Sequence, residues 1–181
     1  MRQALTRHPQ SRCTAATRID VDIARPRPGQ LVLRYVVTGR TSDLRLPPVI
    51  APARTDELWR HTCFEAFVRA SPGAAYYEFN FAPSTQWAAY GFSAYRSGMR
   101  DANEVSAPLI EAQSRDDEYI LQAALDLERL PSDAAWRLGL SAVIEDSDGT
   151  LSYWALKHPP GKADFHHSDC FALELTGASG P

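Results

Sequence analysis

Apolar positions along this 181-residue chain recur every second residue or in short runs between turn signals, and almost nowhere with the 3.6-residue spacing of a helix. Residues 17–23 (TRIDVDI) alternate cleanly, and 31–38 (LVLRYVVT) form a β-branched run that stops at Gly39. The stretch 43–56 carries three prolines, which a sheet interior does not accept, so it reads as a loop or edge segment. Further strands are predicted at 61–69, 75–81, 86–95, 105–113, 118–127, 136–145, 151–157 and 170–175, with turns at Pro72–Gly73, Asp116–Asp117 and Asp146–Gly149. One helical turn is expected at Leu127–Leu130, closed by Pro131. Nine or ten strands at this spacing predict an all-β chain, an antiparallel β-sandwich of jelly-roll type. The sandwich is expected over 17–176, after an N-terminal arm (1–16) and before a frayed tail (177–181).

Composition narrows the picture mainly by exclusion. Hydrophobic residues make up 44% and charged residues 23%, the balance of an ordinary globular domain and not of a disordered or fibrous chain. A chain of this length buries about 70% of its unfolded surface and needs no disulfide or metal to hold a core. Nineteen Lys and Arg against twenty-two Asp and Glu leave a net charge of −3, so there is no electrostatic case for nucleic acid. No apolar run approaches the ~20 residues of a membrane helix, and the start lacks the apolar stretch of a signal peptide. Cys13, Cys63 and Cys170 are odd in number and widely spaced, as expected of free thiols in a reducing, cytoplasmic setting. No sequence feature sets an oligomeric state. The surplus is aromatic: four Trp, seven Tyr and seven Phe, beside thirteen Pro.

Alternation sorts these side chains onto strand faces. Thr62, Phe64, Ala66 and Val68 share an apolar face, and His61, Cys63, Glu65 and Phe67 share the other. Tyr76, Glu78 and Asn80 oppose Tyr77, Phe79 and Phe81. Trp87 falls with Ala89 and Gly91, Tyr90 with Phe92, and Trp154 with His158. Phe64, Phe79, Phe81 and Phe171 are expected in the core. Adjacent strands thus combine one core face with one face that mixes carboxylate, amide, imidazole and aromatic groups, a mixture suited to a sugar: rings pack on its C–H face while polar groups bond its hydroxyls. The alternative is that the aromatics are core and the polar groups simply face solvent.

The loop 157–170 (KHPPGKADFHHSDC) is the second informative segment, since loops on a rigid scaffold commonly carry function. It displays His158, Lys162, Asp164, His166 and His167. His61-x-Cys63 and His167-x-x-Cys170 could together offer a zinc site if their strands were neighbours, and Glu65 with Glu78 could form an acid/base pair of the glycosidase kind. Both spacings are short and common. Ser84 has no nucleophile-elbow context and neither a dinucleotide fingerprint nor a P-loop occurs, so no catalytic constellation, metal or cofactor is predicted.

The strings ELWRHTCFEAFVR (57–69), YYEFNFAPSTQWAAYGFSAYRSGM (76–99) and LSYWALKHPPGKADFHHSDCFALEL (151–175), with LTRHP (5–9), resemble the bacterial DOMON-like proteins, an uncharacterised branch related to the type 9 carbohydrate-binding modules. The resemblance covers about 60 of the 181 residues. It implies an immunoglobulin-like or jelly-roll sandwich of about ten strands and a ligand-binding role, for sugars or haem across the wider superfamily. In the carbohydrate modules two tryptophans clamp a terminal sugar; Trp59, Trp87 and Trp154 are the candidates here. Haem-binding members use a Met and a His, but Met1 and Met99 are the only methionines, and Met99 sits in a Gly-Met-Arg turn.

The leading expectation is therefore a sandwich that binds a small saccharide or similar polar ligand, with no cofactor. Its aromatic platforms would be Trp59, Trp87, Tyr90 and Trp154. Polar contacts would come from His61, Glu65, Glu78, Asn80 and His158, with Lys162, Asp164, His166 and His167 closing one edge. The competing classes are a hydrolase on the same residues, with or without zinc, a haem-binding domain, and an interaction module, which would need a contiguous exposed apolar patch.

Overall fold

A computed structural model describes residues 1–70, 73–130 and 135–175; Pro72, Pro131 and the 177–181 tail lie outside them. Twelve strands and three short 3-10 turns make up the regular structure, and no α-helix occurs among the described residues. The strands are β1 (Arg2–Arg7), β2 (Ala16–Ala24), β3 (Gln30–Gly39), β4 (Cys63–Ala70), β5 (Tyr76–Phe81), β6 (Trp87–Phe92), β7 (Arg100–Asp101), β8 (Leu109–Ser114), β9 (Glu118–Asp126), β10 (Trp136–Glu145), β11 (Leu151–Ala155) and β12 (Leu173–Leu175). They form one continuous antiparallel path, β7-β6-β5-β4-β10-β11-β1-β2-β3-β9-β8, with β12 added beside β10.

The path curls into two layers, and β1 is the seam. Arg2–Leu5 pair with β2, whereas Thr6 and Arg7 pair with β11. The stretch expected as a free arm is thus a strand shared by both layers. Its pattern RQALTR buries only Leu5 fully, too little alternation to announce a strand.

Between the layers lies the main core. Ile19, Val21, Leu31, Leu33 and Leu121 face Phe64, Phe79, Phe81, Leu138 and Leu140. The Tyr35 ring packs 5.1 Å from that of Phe64, and its hydroxyl donates to the Glu65 carbonyl at 2.7 Å, stitching one layer to the other. Three of the four phenylalanines expected in this core are there; Phe171 is not. It belongs to a second apolar cluster on the outer face of the β4-β5-β6-β10 layer, with Phe67, Tyr76, Phe92 and Phe165.

This second cluster explains why the loop after β11 is fixed. The Tyr76 and Phe92 rings stack at 4.8 Å, and the His166 ring meets Phe67 and Phe92 edge-on at 5.1 Å each. The Cys170 thiol donates to the carbonyls of Lys157 and Asp164 at 3.1 and 3.2 Å. Residues 157–171 therefore lie down on one half of the outer face and leave the other half open. Of the expected hairpins, the one at Asp146–Gly149 is closed by the Asp146 amide on the Thr150 carbonyl. Leu127–Leu130 is a single hydrogen-bonded turn, with the Leu130 amide on the Leu127 carbonyl.

Candidate ligand-binding cleft

The open half of the outer face is a cleft of about 1070 Å³. Its floor is set by sheet register. Glu65 lies opposite Asn80 and Phe67 opposite Glu78 on the β4-β5 ladder, Glu78 opposite Tyr90 on β5-β6, and Ser141 opposite Glu65 on β10-β4. Glu65 and Glu78 are thus a diagonal pair on one face. The walls come from five segments: 8–12 after β1, 56–59 before β4, 96–101 after β6, 150–153 at the start of β11, and 162–166 of the C-terminal loop.

Both floor carboxyls are buried, Glu65 at 2% exposure and Glu78 at 6%. Glu65 Oε2 accepts from Ser141 Oγ at 3.0 Å, while its Oε1 makes no hydrogen bond among the described residues. Glu78 Oε1 accepts from Asn80 Nδ2 at 2.8 Å. Burial, and then the charge of Glu78, push the Glu65 carboxyl up to about 8; burial raises Glu78 as well. At neutral pH Glu65 therefore holds its proton.

His166 completes the floor. The Tyr76 hydroxyl accepts the Arg96 amide at 3.2 Å and shares a hydrogen bond with His166 Nδ1 at 2.8 Å. The other ring nitrogen, Nε2, stands 3.6 Å from Glu78 Oε2. Burial lowers His166 to about 4. Above the floor, the Tyr90 hydroxyl donates to Asp56 at 2.7 Å, which leaves the ring facing the cleft. Trp59 stands at the rim with 47% of its surface exposed, its ring flanked by Arg60 at 5.5 Å. On the opposite rim Asp164 accepts from Tyr95 and, at 2.8 Å, from Arg96.

Of the thirteen residues expected to bind ligand, Trp59, Glu65, Glu78, Tyr90, Lys162, Asp164 and His166 line this cleft. Asn80 lies beneath it, fully buried, orienting Glu78 and accepting from the Cys63 thiol at 3.5 Å. The other five have structural engagements. Trp87 and Trp154 are in the inter-layer core: Arg54 lies 4.4 Å over the Trp87 ring, and Trp154 Nε1 donates to Ser152. Neither ring is a platform. His61 faces away and donates to Glu145 at 2.7 Å. His158 bonds the Thr6 carbonyl at 2.8 Å and meets His8 edge-on at 4.9 Å, clamping the loop to β1. His167 caps its own 3-10 turn by accepting from the Asp169 amide.

The zinc alternative has no support in the geometry. Cys63 is spent on Asn80 beneath the floor and Cys170 on loop carbonyls. No group of three or more His, Cys, Asp and Glu capable of holding a metal occurs among the described residues. All three cysteines are free.

Several lining residues were not expected from the sequence: His8, Gln10 and Arg12 of the first wall, Asp56 of the second, and Arg96, Met99 and Tyr153. Asp146 brings the first wall in. Its buried carboxylate accepts from the Thr14 amide at 2.7 Å and the Thr14 hydroxyl at 2.8 Å, so the chain turns back across the face instead of leaving as an arm. The LTRHP string was the one available signal.

These features define a β-sandwich with a polar-floored, aromatic-rimmed cleft on the outer face of one layer. No protein-family model matches the chain, and no curated protein matches it in sequence. Solved structures match it in fold. A Bacteroides uniformis protein proposed to bind carbohydrate superposes with a TM-score of 0.59 at 15% identity, over 86% of this chain and 76% of that one. A family 9 carbohydrate-binding module from Caldicellulosiruptor kristjanssonii, solved with glucose, gives a TM-score of 0.50 at 10% identity, over 87% and 76%. The fold is thus the β-sandwich found in family 9 carbohydrate-binding modules.

Proposed function

We propose that this chain is a carbohydrate-binding β-sandwich of the DOMON-like branch, and that it holds a small saccharide in the outer-face cleft. The observation that carries the reading is the half-exposed Trp59 indole standing beside a recessed floor of Glu65 and Glu78. An exposed indole supplies a flat surface for a pyranose, and buried carboxyls supply directed hydrogen bonds. The solved glucose complex of a protein with this fold supports the same class of ligand. Three free thiols support a reducing compartment and an intracellular glycan.

A panel of glucose, cellobiose, cellotriose, sugar nucleotides and muropeptide fragments, screened by thermal shift, tests the reading. A ligand that binds only the folded state raises Tm progressively, with the logarithm of its concentration above Kd, and Trp59→Ala should remove that rise. A panel that leaves Tm unmoved at millimolar concentration overturns the proposal. The buried Glu65–Glu78 pair also supports a hydrolase, which release of reducing sugar in the same mixtures would reveal.

A further inference from the structure

We propose that the ligand of this cleft carries a protonated amino group that docks against Glu65 and Glu78; with the saccharide reading above, on which this rests, the ligand is a sugar with a free amine.

The floor presents two buried carboxyls and no cation bonded to either. Glu65 has one hydroxyl donor, from Ser141, and Glu78 one amide donor, from Asn80. The Glu65 Oε1 atom makes no hydrogen bond among the described residues, and Glu65, almost wholly buried, lines the cleft. A diagonal pair in an antiparallel ladder lies about 7–8 Å apart between Cα atoms, close enough for one small cation to reach both carboxyl groups. Leaving such a pair unmatched is costly, and a cation or a proton must answer it.

The surroundings do not supply that cation. From the facing layer, Tyr35 commits its hydroxyl to the Glu65 carbonyl. Beneath and around the floor the Cys63 thiol is driven upward by burial and stays neutral, as do Tyr76 and Tyr90. His166, from the loop, is neutral through burial. The Arg96 guanidinium reaches Glu78 only at long range and gives its hydrogen bonds to Asp164. On the walls, Arg12 and Lys162 are opposed by Asp56, Glu57 and Asp101, so the cleft carries an acidic excess.

The aromatic lining adds to the preference. Trp59, Tyr90, Phe92 and Tyr153 border the same space as the two carboxyls. Ring faces attract a cation through their negative quadrupole, an attraction a neutral hydroxyl in its place does not gain. Aromatic rings and buried carboxyls in one cleft are the chemistry of ammonium recognition. When the ammonium enters, the carboxylic proton of the pair leaves to buffer, so charge in the cleft is conserved: one proton out, one R–NH3⁺ in.

Calorimetric titration of the full chain at pH 7 with glucosamine, N-acetylglucosamine, glucose and choline tests this. Glucosamine should bind about tenfold or more tighter than glucose or N-acetylglucosamine. Its binding heat should vary with the ionisation enthalpy of the buffer, corresponding to release of roughly one proton. Glu65→Gln, which keeps the shape, should abolish both the preference and the proton release while the melting transition is retained; Glu78→Gln is the second variant and should do the same. Equal affinity for glucose and glucosamine overturns the inference and leaves the saccharide reading standing. Binding of choline with no sugar binding upholds the cation site and overturns the saccharide reading. No binding by any of the four overturns both.

Discussion

His166 Nε2 stands 3.6 Å from Glu78 Oε2 at the floor of the cleft, a near contact in which burial works against charge on both partners. Burial lowers the imidazole to about 4 and raises the carboxyl. An ion pair here would require two desolvated charges, and the cost of desolvation outweighs their attraction. The floor therefore sets a neutral imidazole beside a protonated Glu65, and much of its behaviour is tied to pH.

Stability should reflect this. Glu65 titrates near 8 in the folded chain, above its unfolded value, so between the two values the folded state keeps a proton that the unfolded state has released, and stability falls as pH rises toward 8. His166 works in the opposite sense, contributing stability that is lost as pH falls from its unfolded value toward about 4. Between roughly pH 7 and 8 the imidazole is mostly neutral in both states, and the raised carboxyl dominates. Denaturant unfolding across that window should show a fall in stability on the order of a kcal/mol or more, absent in Glu65→Gln. A stability that rises across this window would contradict a buried, protonated Glu65.

The tryptophans should divide by layer. Trp87→Ala and Trp154→Ala empty the inter-layer core and should cost about 3–5 kcal/mol in unfolding free energy. Trp59→Ala removes a rim side chain and should change stability by less than about 1 kcal/mol, while weakening saccharide binding about tenfold or more. Calorimetry and chemical denaturation on the three variants separate these outcomes.

Asp146 should couple fold to site. Asp146→Ala leaves the buried Ala15 amide and the Thr14 donors without their acceptor, at about 1–3 kcal/mol for each donor that water does not reach. Because the same carboxylate draws residues 8–12 over the outer face, ligand affinity should fall although no atom of Asp146 lines the cleft. Loss of stability with unchanged affinity would separate the wall from the site.

Much of the fold was legible in the period-2 pattern, because β2, β3, β4, β5 and β9 each bury one face of alternating side chains in the inter-layer core. The β1 seam was not, since only Leu5 of its six residues is fully buried, and the two-residue β7 is too short to carry a pattern. The face carrying Glu65, Glu78 and Tyr90 was identified correctly from alternation. Choosing among the tryptophans failed for a physical reason: β6 is buried on both faces, the inner one by the core and the outer by the Phe67–Tyr76–Phe92 cluster, so alternation could not say which side of Trp87 faced solvent. Phe171 was misplaced by the same second cluster. Arg96 and residues 8–12 reach the cleft through loop geometry, which no periodicity encodes.

The central claim is that a saccharide occupies the outer-face cleft against Trp59. The four tryptophans make it directly measurable, because Trp59 is half exposed whereas Trp87, Trp136 and Trp154 are buried. Indole N–H resonances, followed by NMR through a glucosamine and glucose titration, report each ring separately. The account predicts a saturable shift of the Trp59 resonance alone, which in Glu65→Gln saturates with glucosamine only at the concentrations glucose needs. Saturable shifts confined to the buried tryptophans, or a Trp59 resonance that no saccharide moves, would contradict it.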